Sequence, residues 1–354
     1  MTETAVDMQV VVLGVDTHQQ THHAAIIDTL GQPLADQEFS ATADGYRQLL
    51  AWARTHGRLE QAGVESSASY GAGLARELTA AGVEVIEVNA PDVRARRAQG
   101  KSDQLDAYAA AMAVLTGRAS GHAKDTSGVT ESIRMLYVAR RMAVDHRTQL
   151  GDQLRDLCTT APDEFADQLK ARTTTPQRLA LVESLTAPAS LTDPRAAFVF
   201  TAKSITQRYR QTHREVTTLT RELKTLLKSL VPTVLALPQV GPITAARLLI
   251  TIGQNAQRMR TEATFAKLVG VAPLPASSGK TVRHRLNRGG DRGANSALHM
   301  IVVGRIKSHA PTRAYLTRRE NEKTKKEIIR CLKRYVAREL YKAFTTDLGA
   351  LDNL

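Results

Sequence analysis

Gln9-Val-Val-Val-Leu-Gly-Val-Asp16-Thr-His18 is the stretch whose reading decides the fold. Residues 10–15 form a short apolar run rich in β-branched side chains, which predicts a buried strand rather than a helix. The strand ends on a carboxylate. A charge at the inner end of a core strand is costly unless something positive meets it. Asp16 therefore reads either as a turn-starting acid before Thr-His or as one member of a cation site. What lies further along favours the second reading: Glu65 closes another apolar run, Ala62-Gly-Val-Glu65, and Asp103 and Asp106 open a helix.

Outward from this strand, His22–Asp28 and Leu34–Ser40 read as two more, with Gly31-Gln-Pro33 as the turn between them. Thr42–His56 has helical spacing, with Tyr46, Leu49, Leu50 and Ala53 on one face. A strand around Glu65, a helix over Gly73–Ala81 stopped by Gly82, a strand over Val83–Val88 and helices over Pro91–Ala98 and Asp103–Leu115 follow. A three-stranded meander followed by alternating strands and helices is the layout of an RNase H-like domain. In that layout the first strand, the fourth strand and a late helix each present acids to one place. Here these are Asp16, Glu65, and Asp103 with Asp106, which share a helix face at i and i+3 behind the capping residue Ser102. Four crowded carboxylates repel one another and raise each other's pKa, so the set makes sense with metal present. Mg²⁺ prefers hard oxygen ligands, and a pair of such ions roughly 4 Å apart suits phosphodiester exchange. Arg94, Arg96, Arg97 and Lys101 just precede the last acids and read as a basic loop for a nucleic-acid backbone or as solvated helix charge.

Bulk properties narrow the class. The 354 residues allow two or three domains, and 42% hydrophobic residues with only 4% aromatic ones imply a core of Ala, Leu and Val. No apolar run approaches the roughly 20 residues of a membrane span, and the first residues do not resemble a secretory signal. Two distant cysteines, Cys158 and Cys331, point to a reduced, cytoplasmic protein without a cysteine zinc site. The net charge is +13, and residues 280–344 hold 18 Lys+Arg against 5 Asp+Glu, so the last fifth of the chain accounts for the whole excess. Such a block implies a polyanion, nucleic acid above all, although a solvated helix surface is the plainer reading.

After Gly121 the pattern changes to helix. A small-polar linker over residues 120–128 precedes one long helix over Glu131–Leu157. Residues 159–195 are broken by Pro162, Pro176, Pro188 and Pro194, and a second long helix runs from Ala196 to Leu230. Ile205, Tyr209, Thr212, Val216, Leu219, Leu223, Leu226 and Leu230 alternate spacings of four and three, a heptad seam with one polar member. Either the chain's own first long helix or a dimeric coiled coil would cover it, and a part in self-association is expected. Leu237-Pro-Gln-Val-Gly241-Pro then resembles a helix-hairpin-helix turn that offers backbone N–H groups to phosphate; a plain helical hairpin is the alternative. Finally, Val271-Ala-Pro273-Leu-Pro-Ala-Ser277-Ser278-Gly279-Lys280 leads into a stretch carrying Arg283, Arg285, Arg288 and Arg292. A serine in a Gly-flanked loop among arginines reads as a nucleophile for phosphoryl transfer, with the arginines neutralising charge at phosphorus, or as an ordinary polar turn.

Taken together, Gly14-Val-Asp16, Gly63-Val-Glu65-Ser, Lys101-Ser-Asp-Gln-Leu-Asp106-Ala, Leu237-Pro-Gln-Val-Gly-Pro and Leu268-Val-Gly-Val-Ala-Pro with Ser278-Gly279 and Arg-Gly-Gly-Asp291 resemble the transposases of the insertion-sequence-110 group, recombinases guided by a bridge RNA. The likeness covers roughly residues 9–345. It implies an α/β plus α architecture. A Holliday-junction-resolvase-like, RNase H-like domain over 9–122 carries an Asp-Glu-Asp-Asp set at Asp16, Glu65, Asp103 and Asp106. A helical, coiled-coil region over 128–230 and a mainly helical C-terminal domain over 231–346 follow. The resemblance places the catalytic serine on Ser278, with Ser277 as its rival. It implies Mg²⁺, as one ion or two, a covalent phosphoserine–DNA link, and double-stranded donor and target DNA. It also implies a bridge RNA, a homo-oligomer (dimer or tetramer) and action in the bacterial cytoplasm at the nucleoid. Relatives often read Lys-Arg-Gly-Asn where this chain has Arg288-Gly-Gly-Asp291, a change expected to be tolerated in a phosphate-contacting turn. Arg94, Arg97, Lys101, Gly241, Lys280, Arg283, Arg285, Arg288 and Arg292 are the expected nucleic-acid contacts. Two rivals keep the same residues: a nuclease in which the acids activate water, and a non-enzymatic nucleic-acid-binding protein.

Overall fold

A computed structural model describes residues 9–349 except 89–101, 120, 125, 127, 187–188, 255, 278–283, 286 and 288. The helix expected over 91–98 lies outside the described residues. So do Arg94, Arg97, Lys101, Ser278, Lys280, Arg283 and Arg288.

The N-terminal part is an α/β sheet domain. Strands β1 (Val10–Thr17), β2 (Thr21–Asp28) and β3 (Pro33–Ser40) form an antiparallel meander, and helix α1 (Ala43–Thr55) leads to β4 (Arg58–Glu65). Helix α2 (Ala72–Ala80), β5 (Glu84–Val88), helix α3 (Asp103–Leu115) and a two-residue β6 (Gly121–His122) complete it. The strand order is β3-β2-β1-β4-β5-β6, with β1, β4 and β5 parallel and both edges antiparallel. β1 is central and covered on both faces, which explains its unbroken apolar run. Its alternate residues part company. Val11, Leu13 and Val15 pack with α1 and α2 in one core. Val12 packs under Ala111 and Val114 of α3 in the other. Period-two alternation therefore puts Gly14 and Asp16 on the α3 face with Val12.

α3 lies unusually close to the sheet because glycines pass beneath it. A Cβ on Gly14 would collide with the carbonyl oxygen of Ala107 and the amide of Ala111; one on Gly63 would sit 2.6 Å from Ala110 O. Gly14 and Gly63 are direct partners in the β1–β4 register. Ala107, Ala110 and Ala111 are buried above them. Small residues on both surfaces thus set the depth of the helix that carries Asp103 and Asp106.

By packing, residues up to 131 group with 249–295 and 337–341 in one compact unit, and 132–248 with 296–336 and 342 onward in a second. In the first, Arg258 of a short 3₁₀ turn (Ala256–Met259) ties the 249–295 segment to the sheet: Nη2 lies 3.3 Å from Glu87 Oε2, and Nη1 donates to Thr251 O and Ile252 O. The same segment holds helix α10 (Glu262–Leu268) and a minimal hairpin, β7 (Leu274–Pro275) with β8 (His284–Arg285).

In the second unit the long helices α4 (Gly128–Thr159) and α7 (Pro194–Leu230) run antiparallel: Arg140 Nε donates to Thr220 Oγ1 (2.7 Å), and Arg147 Nη1 lies 3.2 Å from His213 Nδ1. The seam expected from the sequence is filled from within the chain along part of its length. Ile205 packs with Leu150, Leu154 and Cys158. The polar Thr212 is buried, its hydroxyl donating to Arg208 O. Between the long helices the prolines start helices as well as break them. Pro162 precedes α5 (Asp163–Lys170), and Pro176 lies in the first turn of α6 (Thr175–Ser184), where its missing N–H costs nothing. α8 (Pro232–Ala236) and α9 (Pro242–Ile252) flank the expected hairpin turn. α11 (Arg292–Ser308), α12 (Ala310–Arg319) and α13 (Lys325–Gly349) carry the basic C-terminal block. Among the described residues no helix is long and apolar enough to cross a membrane.

Candidate active site

Asp16 and Glu65 end the neighbouring parallel strands β1 and β4, whose register runs through Gly14↔Gly63 and Val15↔Val64. The repeated Gly-Val-acid pattern is the sequence form of that pairing: glycine under α3, valine into the opposite core, acid at the strand end. Thr17 Oγ1 donates to Glu65 O at 3.0 Å and stitches the two ends together. The chain then leaves β4 through Ser66 in the left-handed region, φ 49°. From above, Ser102 caps α3 by accepting the Leu105 N–H at 3.2 Å, which places Asp103 and Asp106 in the first turn. Asp16 and Asp106 are buried, at 6% and 4% exposure, whereas the Asp103 side chain is half exposed.

His18 joins the acids. Its Nε2 lies 3.2 Å from Asp16 Oδ2 and 3.3 Å from Asp103 Oδ1. Asp16, His18 and Asp103 each offer one ligand atom within 4.8 Å of the others. Burial, then the negative charges of Asp106 and Asp103, push the Asp16 carboxyl above its ordinary pKa, and His18 opposes them. Sequence reasoning gave His18 no role, since Thr17-His18 entered only in the alternative reading of Asp16 as a turn-starting acid. The signal was there: an imidazole two residues beyond a strand-end acid returns toward it. His22, by contrast, is buried against Tyr46, ring to ring at 5.5 Å, and burial lowers its pKa; it is a neutral core histidine.

A second network fixes α3 laterally. Asp36 of β3 accepts hydrogen bonds from His23 Nε2 (2.9 Å), Gln104 Nε2 (2.7 Å) and Tyr108 OH (3.2 Å). Burial works against the Asp36 anion, but these three donors outweigh it and hold its carboxyl below the usual range. Gln104 and Tyr108 flank Asp106 on the helix, so this carboxylate on β3 anchors the turn bearing the site acids.

The other predicted residues fall elsewhere. Ser277 is exposed, in the loop that β7 and β8 close at its base. The Asn287–Asp291 motif has a local structural role. Gly290 passes so close to the Gly270 backbone that a Cβ would collide with it. Asp291 N donates to Leu268 O at 2.8 Å, and Asp291 Oδ1 accepts the Ala294 N–H at 2.8 Å, starting α11. Asn295 Nδ2 donates to Gly270 O at 2.8 Å. The turn expected to contact phosphate thus clamps the loop after α10 onto the start of α11. Arg285 and Arg292 are exposed nearby in sequence. The Gly241 N–H is taken by Thr244 Oγ1 at 3.0 Å.

The donor set suits a divalent cation. Hard carboxylate oxygens dominate it, one imidazole nitrogen joins them, and the buried Asp16 stands to lose its electrostatic stress when a cation arrives. A strand-order 3-2-1-4-5 sheet with acids at the ends of β1 and β4 and on a late helix defines an RNase H-like domain of the DEDD type. A model for the DEDD transposases of the IS110 group matches residues 13–161, and one described as "Transposase IS116/IS110/IS902 family" matches residues 232–317. The chain belongs to the IS110 transposase family: it is a DNA transposase of an insertion sequence, an enzyme that cleaves and rejoins DNA. No curated protein matches the sequence.

Proposed function

We propose that this transposase is an RNA-guided recombinase that exchanges DNA strands through a phosphoserine on Ser278, assisted by Mg²⁺ at Asp16, Glu65, Asp103 and Asp106. The observation that carries the metal part is the meeting of Asp16, His18 and Asp103 within 4.8 Å, with Asp16 buried. Bound there, as one ion or a pair, Mg²⁺ would supply Lewis-acid stabilisation of charge on a DNA phosphate. His18 contributes a nitrogen ligand or holds the two aspartates in register. The serine part rests on the family motif, on the exposed Ser277 that precedes Ser278 and on the exposed Arg285 and Arg292 that follow in sequence. The Ser278 hydroxyl loses its proton and attacks phosphorus. The phosphodiester bond to the leaving sugar oxygen breaks, and that oxygen takes up a proton. The hydroxyl end of a second strand then displaces the serine, which regains its proton. Arg283, Arg285, Arg288 and Arg292 neutralise charge at phosphorus, and Arg94, Arg97, Lys101 and Lys280 hold backbone, whereas the Gly241 N–H is already engaged by Thr244.

Base pairing by a bridge RNA supplies sequence choice, which leaves the protein to read backbone and shape. Action is at the nucleoid, in the cytoplasm, as a dimer or tetramer. Met135, Val138 and Met142, exposed at helical spacing on α4, offer an apolar stripe for such association. A strand-exchange assay with element-end DNA, target DNA and the element's flanking transcript tests the guided reaction: joint products form only when the transcript is present and shift target when its loop is rewritten. Joint products in the absence of any RNA would refute the guided reading.

A further inference from the structure

Beside the hairpin turn of the second unit lies an open groove of about 340 Å³. Its walls are Lys224 and Lys228 on the last turns of α7, and its floor is Pro232, Leu235, Val240 and Pro242. The two lysines are four residues apart, about 6 Å along the axis, and so on one face. Both are exposed, and neither has an ion-pair partner among the described residues. No carboxylate lines the groove.

Its shape is firmly set. Asp347 of α13, itself buried, accepts the Thr233 and Val234 N–H groups at 3.2 and 3.0 Å, capping α8. Arg305 of α11 is almost fully buried, and its Nε donates to Pro238 O at 3.0 Å, while Gln239 holds φ +60° with its amide nitrogen on Ser308 Oγ at 3.0 Å. The turn is thus pinned from beneath.

We infer that this groove holds the phosphodiester backbone of a nucleic-acid strand, with Lys224 and Lys228 on neighbouring phosphates and the apolar floor against the sugars. Two point charges a helical turn apart suit a repeating anion. The lining side chains include no amide or hydroxyl to read a base edge, so binding here is indifferent to sequence. The inference rests on the nucleic-acid reading of the enzyme, and assigns it residues outside the expected contacts and outside the acid cluster.

The test uses the full chain with labelled random-sequence duplex DNA and, separately, a labelled random-sequence RNA hairpin. Binding is measured by anisotropy across a salt series, alongside lysine acetylation read by mass spectrometry. Removing two lysines that each neutralise one phosphate, at about 0.9 apiece, lowers the duplex salt slope by about 1.8 and weakens binding about 20-fold at 0.2 M salt. That reduction is expected for K224Q/K228Q with at least one probe, with rescue by K224R/K228R and with both lysines protected from acetylation in the complex. The arm that shows it tells DNA from RNA. Wild-type slope in K224Q/K228Q and unprotected lysines, with wild-type binding intact, would overturn the groove while leaving the nucleic-acid reading standing. Wild-type protein that binds neither probe would refute that reading itself. Protection by polyglutamate and by neither nucleic acid would overturn the groove in favour of an acidic peptide.

Discussion

At Gly14 one added methyl group would run into the backbone of α3, whereas the segment that carries Ser277 is held at its ends by a hairpin of two residue pairs and a clamp at Gly290–Asp291. The acids are placed by the core: strand pairing fixes Asp16 beside Glu65, and glycine under alanine fixes the depth of Asp103 and Asp106. The segment after Ser277 is tied at its base by the β7–β8 pairing and is rich in cationic residues in sequence. The acids, which crowd negative charge, sit on rigid elements, whereas the reach toward phosphate proposed for the serine is a task suited to a loop. Substitutions should therefore disturb the two regions in different ways.

The largest effect is expected from Asp16→Asn, which should lower DNA cleavage at least about 100-fold, the scale for losing a preorganised electrostatic group, while leaving the circular dichroism of the fold intact. The same change should raise Tm in metal-free buffer. Because the folded pKa of Asp16 lies above its unfolded value, its protonated form favours the fold. That contribution is complete below the ordinary carboxylate pKa of 3.8 and is lost as pH rises through the folded value. A metal titration followed by calorimetry should close the gap in Tm for the wild type and not for the variant.

Gly14→Ala should come next, at about 1–3 kcal/mol of stability from overpacking against Ala107 and Ala111. If core packing places the acids, cleavage should fall further than the loss of folded protein explains; equal losses would show that α3 yields without moving its acids. His18→Ala should weaken divalent-metal affinity by about 10-fold, the lower end for a group that supports a metal site, as measured by isothermal titration. The smallest effect is expected from Asp36→Asn, about 1–2 kcal/mol from weakened charge-assisted hydrogen bonds. Since the folded pKa of Asp36 is depressed, its contribution is present above the unfolded pKa of 3.8 and is lost as pH falls through the folded value. Chemical denaturation at pH 7 and pH 3 should show the wild-type advantage shrinking at the lower pH.

The N-terminal fold was legible because periodicity and punctuation agreed. The apolar, β-branched run of β1, the Gly31-Gln-Pro33 turn and the Ser102 cap each pointed one way, and Asp103–Leu115 is helical as expected. Glu65 was legible through the repeat of Gly-Val-acid. The short helices α5 and α6 were not, because Pro162 and Pro176 were read as breakers, although a proline is at home at the start of a helix. β7 and β8, at two residues each, are too short to leave a periodic signal. His18 carried one signal, its place two residues beyond Asp16, but its meeting with Asp103, distant in sequence, could not be read there. The clamp made by Gly290 and Asp291 was not legible in the turn expected to contact phosphate, because it depends on Gly270 and Leu268, some twenty residues earlier.

The most direct test of the account is covalent trapping. Protein, Mg²⁺, element-end DNA and the flanking transcript would be run on a denaturing gel. A protein–DNA adduct is predicted, absent in Ser278→Ala, retained in Ser277→Ala and lost in Asp16→Asn. Cleaved DNA without an adduct, equally strong in Ser278→Ala, would contradict the phosphoserine mechanism and leave an acid-site nuclease that uses water.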